Sequence, residues 1–300
     1  MKALVKEGKY VQLQELTVPV AGAGEVLIRV RAAGLCRTDL LVIQGRLPAI
    51  DPLIPGHELA GEVAGIGKGV KGFERGEPVT VHPMLGCGSC AACGRRQPEH
   101  CPTVRVLGIE HHGAFGEYLC VPARALWKLP CGLSWQTGAY AEPVAAALGV
   151  LRADIKPEQE GAICGHNRIA ELTGRILSRH GHQFQHCQAA ELMPNSLDYL
   201  IETGLSAAEL PMLLGALKPG GTLVAKSRHI DSLALPWQMI VRKDIRVQGA
   251  YYGDFGEAVA LLGAAPELLS GLIGPAFELA DWERFLAPDD ERGKRFLVLD

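Results

Sequence analysis

No stretch of about 18 consecutive apolar residues occurs in the 300-residue chain, so nothing in it reads as a membrane-spanning helix. The first sixteen residues, MKALVKEGKYVQLQEL, are amphipathic and lack the continuous apolar core of a secretory signal. No long basic run stands out: net charge is -3 with 21% charged residues. That balance points away from nucleic acid and membrane surfaces and toward a small molecule as partner. Internal repeats and low-complexity tracts are absent as well. What is left is an ordinary globular composition in a chain long enough for about two domains.

Cysteine is the exception to this plainness. There are nine, four of them crowded between positions 87 and 101. An odd number with such a cluster fits metal ligation in a reducing compartment better than a disulfide framework, so a cytoplasmic location is expected. The cluster reads Cys87-x2-Cys90-x2-Cys93-x7-Cys101. Four thiolates at these spacings can wrap one tetrahedral ion, and zinc in a closed all-sulfur shell is structural. An iron–sulfur cluster also takes four thiolates. A chance group of small buried cysteines suits the segment poorly, because Gly88, Ser89, Ala91, Ala92, Gly94, Arg95 and Arg96 between them are loop formers. A second feature, His57-Glu58 in a Gly-rich run, is only half a metal site, since a catalytic zinc takes about three protein ligands and keeps one position open.

To about residue 130 the chain consists of short β-branched runs broken by Gly, Pro and charge: ALVKEG, YVQLQEL, EVLIRVRAAG, AGEVAGIG, EPVTVHP and EYLCVP. These predict an antiparallel, barrel-like β domain. Helical spacing of Val144, Ala147, Leu148 and Leu151 marks a linking helix. From Gly161 strand and helix patterns alternate, which predicts a parallel sheet with helices on its faces. Strands are expected in GAICG, HQFQHC, LDYLIETG, KPGGTLVAKS and over 240–248, and helices over 168–180, 207–217 and 254–262. The closing GKRFLVLD is expected to return to the first domain. The expected division is 1–140 plus 275–300 for the first domain and 141–274 for the second.

GLCRTD, GHELAGEV, the four-cysteine lobe, GAFGEYLCVP and AEP, in this order, resemble the zinc-dependent medium-chain dehydrogenases, which include alcohol, polyol and threonine dehydrogenases; KPGGTLV and GKRFLVLD extend the likeness over nearly the whole chain. The resemblance implies an α/β plus β fold, a GroES-like β-barrel catalytic domain with a Rossmann-type parallel sheet domain. It implies two zinc ions per chain, NAD or NADP, and a homodimer or homotetramer. Residue by residue, it makes Cys36 and His57 ligands of a catalytic zinc, with Glu142 as the third and Glu58 beside the metal as a direct or exchanging ligand. Cys87, Cys90, Cys93 and Cys101 become the structural site. Asp39 fixes the His57 tautomer, and Thr38 takes the substrate proton. Where many relatives continue the proton relay with a histidine, this chain has Leu41. Glu142 as a helix N-terminal acid and Asp39 as a surface turn carboxylate are the plainer readings. His111 and His112 fall near the relatives' substrate pocket or form a surface pair, and His180, His182 and His186 suggest no strong further site.

The nucleotide domain departs from the pattern in three ways. The turn G-x-G-x-x-G/A corresponds to Gly165-His166-Asn167-Arg168-Ile169-Ala170, so Asn167 stands where a glycine lets backbone approach pyrophosphate. Arg168 either reaches a phosphate oxygen or is exposed at the helix start. At the end of the second strand, His186-Cys187-Gln188 supplies no acid for a ribose hydroxyl. Finally, the residues between Cys164 and Asp198 are too few for the usual two α-β steps, because a parallel crossover needs about a dozen. One step is missing, and the second strand should be a sheet edge. The expected function is therefore zinc-dependent interconversion of a polar, polyol-like alcohol with a ketone or aldehyde by hydride transfer. The rival is a zinc-containing homologue that has lost normal nicotinamide use and does non-redox chemistry or binds a ligand or partner.

Overall fold

Two compact units form, Met1–Pro143 with Phe255–Asp300, and Val144–Asp254. The computed structural model describes residues 1–228, 232–288 and 293–299. The chain starts with an antiparallel hairpin, β1 (Lys2–Glu7) and β2 (Tyr10–Glu15). β3 (Glu25–Gly34) is ten residues long and alternates half-buried with buried positions, so that Val26, Ile28 and Val30 enter the core. A helical segment, α1 (Arg37–Ile43), leaves its end directly. There follow β4 (Glu58–Ile66), β5 (Pro78–Val81), β6 (Met84–Leu85), α2 (Ala91–Gly94), β7 (Arg105–Val106), β8 (Tyr118–Pro122), β9 (Leu126–Lys128) and α3 (Trp135–Ala139). α4 (Ala141–Leu148) is the linking helix.

The second unit is a parallel sheet. Its elements are β10 (Gly161–Cys164), α5 (Arg168–Arg179), β11 (Phe184–Cys187), β12 (Leu197–Glu202), α6 (Leu210–Ala216), β13 (Leu217–Ala225), α7 (Trp237–Lys243) and β14 (Arg246–Gly249). The strand order is β11-β10-β12-β13-β14, all parallel. A full doubly wound sheet runs 3-2-1-4-5-6; here position 3 is missing and β11 is the edge, as the residue count requires. All four residues of β10 are buried, while β11 shows three of its four side chains wholly or partly to solvent. α5 buries Ala170, Leu172, Ile176 and Leu177 on one face.

One expectation fails here. The 240–248 run, read as a strand, is helical up to Lys243 and extended only from Arg246. A single helix of two turns is stopped by Asp244, which takes a left-handed conformation at φ 51°.

Chain return to the first unit comes with α8 (Phe255–Ala264), about twenty residues before the expected 275. The cause is aromatic packing: Phe255 stacks on His82 with centroids 4.7 Å apart and meets Trp127 at 6.0 Å. β15 (Ile273–Glu278), α9 (Trp282–Leu286) and β16 (Lys294–Val298) complete the unit. Its main sheet runs β15-β16-β3-β4-β5-β9, with β8 also paired to β3. All pairings are antiparallel except β15 with β16. β3 is the hub: its first half pairs with β8 and its last three residues with β16, which carries the chain's end to the start of α1.

Candidate metal centres

Cys36 closes the turn between β3 and α1, and His57-Glu58 opens β4, the antiparallel neighbour of β3. Because Gly34 pairs with Glu58 in this ladder, the two segments end at the same level. The result is that one ligand atom each from Cys36, His57 and Glu58 lies within 4.8 Å of the others. His57 and Glu58 are buried and Cys36 is half-buried. Gly34 is needed for this approach, since a Cβ there would run into the Glu58 carboxylate.

Asp39, on the first turn of α1, ties the cluster together. Its Oδ1 lies 2.9 Å from His57 Nδ1, and its Oδ2 accepts the Cys36 backbone N–H at 2.9 Å. Asp39 is thus a buried support and not a surface turn residue. Burial works against a charge on His57, but the Asp39 carboxylate and the Cys36 sulfur outweigh it and raise the imidazole well above its usual 6.5.

Lys294, the first residue of β16, was not singled out by the sequence. Its Nζ sits 2.7 Å from Glu58 Oε1 and 2.6 Å from Oε2, with the pair buried and the Tyr140 ring 5.6 Å from the ammonium. Burial raises the Glu58 carboxyl, Lys294 opposes that, and the charge of Glu142 adds to it. Glu142 is therefore buried at the start of α4 and close enough for Glu58 to feel it, but it lies outside the group whose ligand atoms meet. Thr38 is half-buried in the first turn of α1, and Leu41, also half-buried, follows in the same helix.

The four-cysteine segment folds around its own sulfurs. Cys87, Cys90, Cys93 and Cys101 each offer a sulfur within 4.8 Å of the rest. Backbone N–H groups point inward: Cys87 N donates to Cys101 Sγ at 3.3 Å, and Cys90 N to Cys87 Sγ at 3.4 Å. The Ser89 hydroxyl and the N–H groups of Ser89 and Cys90 push the Cys87 thiol down to about 5. At Gly86 a Cβ would lie 2.6 Å from Cys93 Sγ, so the loop is cut to leave room for the sulfurs. Both donor sets fit zinc: four sulfurs for a closed shell, and sulfur, imidazole and carboxylate for an open one.

Neither histidine group joins a centre among the described residues. His112 Nδ1 accepts the Ile54 N–H, and His111 Nδ1 lies 2.8 Å from the His112 carbonyl oxygen. At the nucleotide turn, Gly165 has φ 129° and Asn167 is the N-cap of α5, while Arg168 and Ala170 are its first and third residues. Asn167 Oδ1 accepts the N–H groups of Ile169 and Ala170, which are the donors a phosphate at a helix N-terminus would take. The turn therefore does not fit pyrophosphate, although β12, β13 and β14 keep an unbroken parallel ladder at their C-terminal ends.

Comparison with known proteins places similarity in the first unit and in the fold. Residues 22–131 match the alcohol dehydrogenase GroES-like domain. L-threonine 3-dehydrogenase of Pyrococcus horikoshii is 40% identical over 154 residues, 49% of this chain and 44% of that protein. D-altritol 5-dehydrogenase of Agrobacterium fabrum is 33% identical over 211 residues, 68% of this chain and 61% of that one. Over these segments the chain is similar to the alcohol dehydrogenase GroES-like domain and to threonine and altritol dehydrogenases. It spans about half the length of the curated relatives it matches. Over 99–100% of both chains, the fold superposes at a TM-score of 0.89 and 21% identity on a solved structure from Escherichia coli CFT073, described as a short chain alcohol dehydrogenase (rspB) complexed with NADH. Among the described residues, no helix is long and apolar enough to cross a membrane.

Proposed function

We propose that this protein is a zinc-dependent oxidoreductase that interconverts a polar, polyol-like alcohol and its ketone or aldehyde, with a nicotinamide as the hydride partner. The observation that carries the proposal is the meeting of Cys36, His57 and Glu58 in a buried cluster, with Asp39 hydrogen-bonded behind the histidine. Held by Cys36, His57 and Glu142, with Glu58 as an exchanging ligand, zinc supplies a Lewis acid that polarises a carbonyl or acidifies an alcohol. The four-cysteine lobe holds a second, structural zinc.

Each nearby side chain has a definable part. Asp39 accepts the Nδ1 proton of His57 and so leaves Nε2 as the donor atom for metal. Lys294 balances the Glu58 carboxylate, which keeps two buried acids, Glu58 and Glu142, from both standing uncompensated. Thr38, two residues beyond Cys36, takes the substrate proton. With Leu41 in place of a histidine, that proton leaves by another route. Polar substrates are favoured because the relatives named above act, by name, on threonine and on altritol. A cytoplasmic location suits the thiol ligand sets. A homodimer or homotetramer built on the exposed β14 edge completes the proposal.

The test is direct. Zinc-loaded protein is assayed across a panel of polyols, hydroxy acids and simple alcohols while binding of NADH, NADPH and reduced nicotinamide mononucleotide is followed by nicotinamide fluorescence. Binding with turnover of a polar alcohol is expected. No binding of any nicotinamide and no turnover would refute the proposal.

A further inference from the structure

At the C-terminal ends of β10 and β12, three residues are knotted together. Asn167 Oδ1 accepts from Ile169 N at 3.1 Å and from Ala170 N at 3.0 Å. Its Nδ2 donates to the Thr203 carbonyl oxygen at 2.9 Å and to Thr203 Oγ1 at 3.2 Å. Thr203 Oγ1 in turn donates to the Cys164 carbonyl oxygen at 3.2 Å. A Cβ at Gly165 would collide with Thr203 Oγ1, so the glycine serves this knot. All four hydrogen-bonding positions of the Asn167 amide are used. A pyrophosphate on the first turn of α5 would have to displace the whole set to regain two N–H donors.

The adenosine side is closed in the same manner. β11 is the sheet edge among the described residues, and its last residues offer no carboxylate. The next acid, Glu191, is occupied: its Oε2 accepts the Gln188 N–H at 2.7 Å and folds the chain into a short turn over Ala189–Glu191. The opposite side of the sheet is well built. Glu202, buried at the end of β12, accepts from Lys226 N at 2.8 Å, Ser227 N at 2.9 Å and Ser227 Oγ at 2.6 Å. That pins the ends of β12 and β13 together, where the other half of a dinucleotide would lie.

Resting on the proposed use of a nicotinamide, we infer that this chain takes nicotinamide mononucleotide as well as it takes the dinucleotide, with Asn167 as the residue that denies the adenosine half its usual contribution. The experiment measures dissociation constants of the reduced mononucleotide, NADH and NADPH by nicotinamide fluorescence for the wild type and for Asn167→Gly. Glycine is tolerated at a helix N-cap at small cost, and circular dichroism with a melting curve confirms that the variant folds. In the wild type the three constants should agree within about threefold, because no charge-assisted hydrogen bonds to the pyrophosphate form. Asn167→Gly should tighten NADH about tenfold or more relative to the mononucleotide, as the amides of Ile169 and Ala170 become available. Wild-type protein that binds NADH about tenfold tighter than the mononucleotide overturns the inference and leaves the oxidoreductase reading standing. An Asn167→Gly variant with an unchanged ratio overturns it too, since Asn167 is then not the block. Failure of all three to bind would overturn the functional reading together with this inference.

Discussion

Asp39→Asn isolates the part of the site that acts through hydrogen-bond direction and not through bulk. Asp39 accepts two hydrogen bonds, one from the Cys36 N–H and one from His57 Nδ1, each at 2.9 Å. Asparagine has the same shape but only one oxygen. If that oxygen stays on Cys36 N, the amide NH2 faces His57 Nδ1, which must then become the acceptor and move the imidazole proton to Nε2. The ring then presents an N–H where a metal needs a lone pair. If the oxygen turns to His57, the buried Cys36 N–H loses its partner and the start of α1 loosens. Either way zinc binding by the first centre should weaken about 10- to 100-fold, or about 1.4–2.7 kcal/mol. The assay is competition with a graded series of chelators, read as zinc per chain, on protein checked for unchanged melting behaviour with the metal removed. The four-cysteine lobe is an internal control, because its sulfurs form a separate cluster from Cys36, His57 and Glu58, so the variant should step from two zinc ions to one at a chelator strength the wild type resists. A variant that keeps both ions with affinity within about twofold of wild type would show that Asp39 does not orient His57.

Lys294→Met leaves the Glu58 carboxylate buried without its cation, a change of about 3–5 kcal/mol when the charge cannot escape. Glu58 can take up a proton, so the loss in melting temperature should be small near pH 5 and grow toward pH 8; a loss independent of pH would exclude the pair as its source. His57 gives a second pH test, on the metal-free protein. Burial lowers its pKa, but Asp39 and Cys36 outweigh that and hold it well above 6.5 in the folded state. Its contribution is therefore fully present below about 6.5 and lost as pH rises through the raised folded value. Zinc-free protein should lose stability over that window while zinc-loaded protein does not, and zinc uptake should release a proton; a flat profile for the zinc-free protein would contradict the assignment. Cys93→Ala should abolish the lobe's zinc and expose residues 87–101 to proteolysis, while the first centre keeps its ion, as a closed structural site requires. Loss of both ions together would refute the separation of the two centres.

The features legible in the sequence were those fixed by short covalent distance. The lobe occupies residues 87–101, so its spacing alone defines it, and Cys36, Asp39 and His57 lie within one β3-α1-β4 passage. The missing α-β step was legible for the same reason, since a chain of given length between Cys164 and Asp198 cannot make two crossovers. The short apolar run after residue 236 was not legible, because so few residues do not separate helix from strand and the decision rests on the Asp244 stop. Nor was the early return at Phe255, which depends on ring contacts with His82 and Trp127 far back in the chain.

The two most consequential omissions share a form. Lys294 lies 236 residues from Glu58 and Thr203 lies 36 from Asn167, so neither pairing leaves a local pattern. In each case the nearer residue was visible and its partner changes what it means. Without Lys294, Glu58 is one more acid beside Cys36 and His57; with it, Glu58 is a carboxylate already paired with a buried ammonium, so any metal held there would share it with that cation. Without Thr203, Asn167 is a missing glycine that a phosphate would merely find crowded. With Thr203 it is a side chain held by four hydrogen bonds over the start of α5, which makes Asn167→Gly the change that tests whether it keeps a pyrophosphate out.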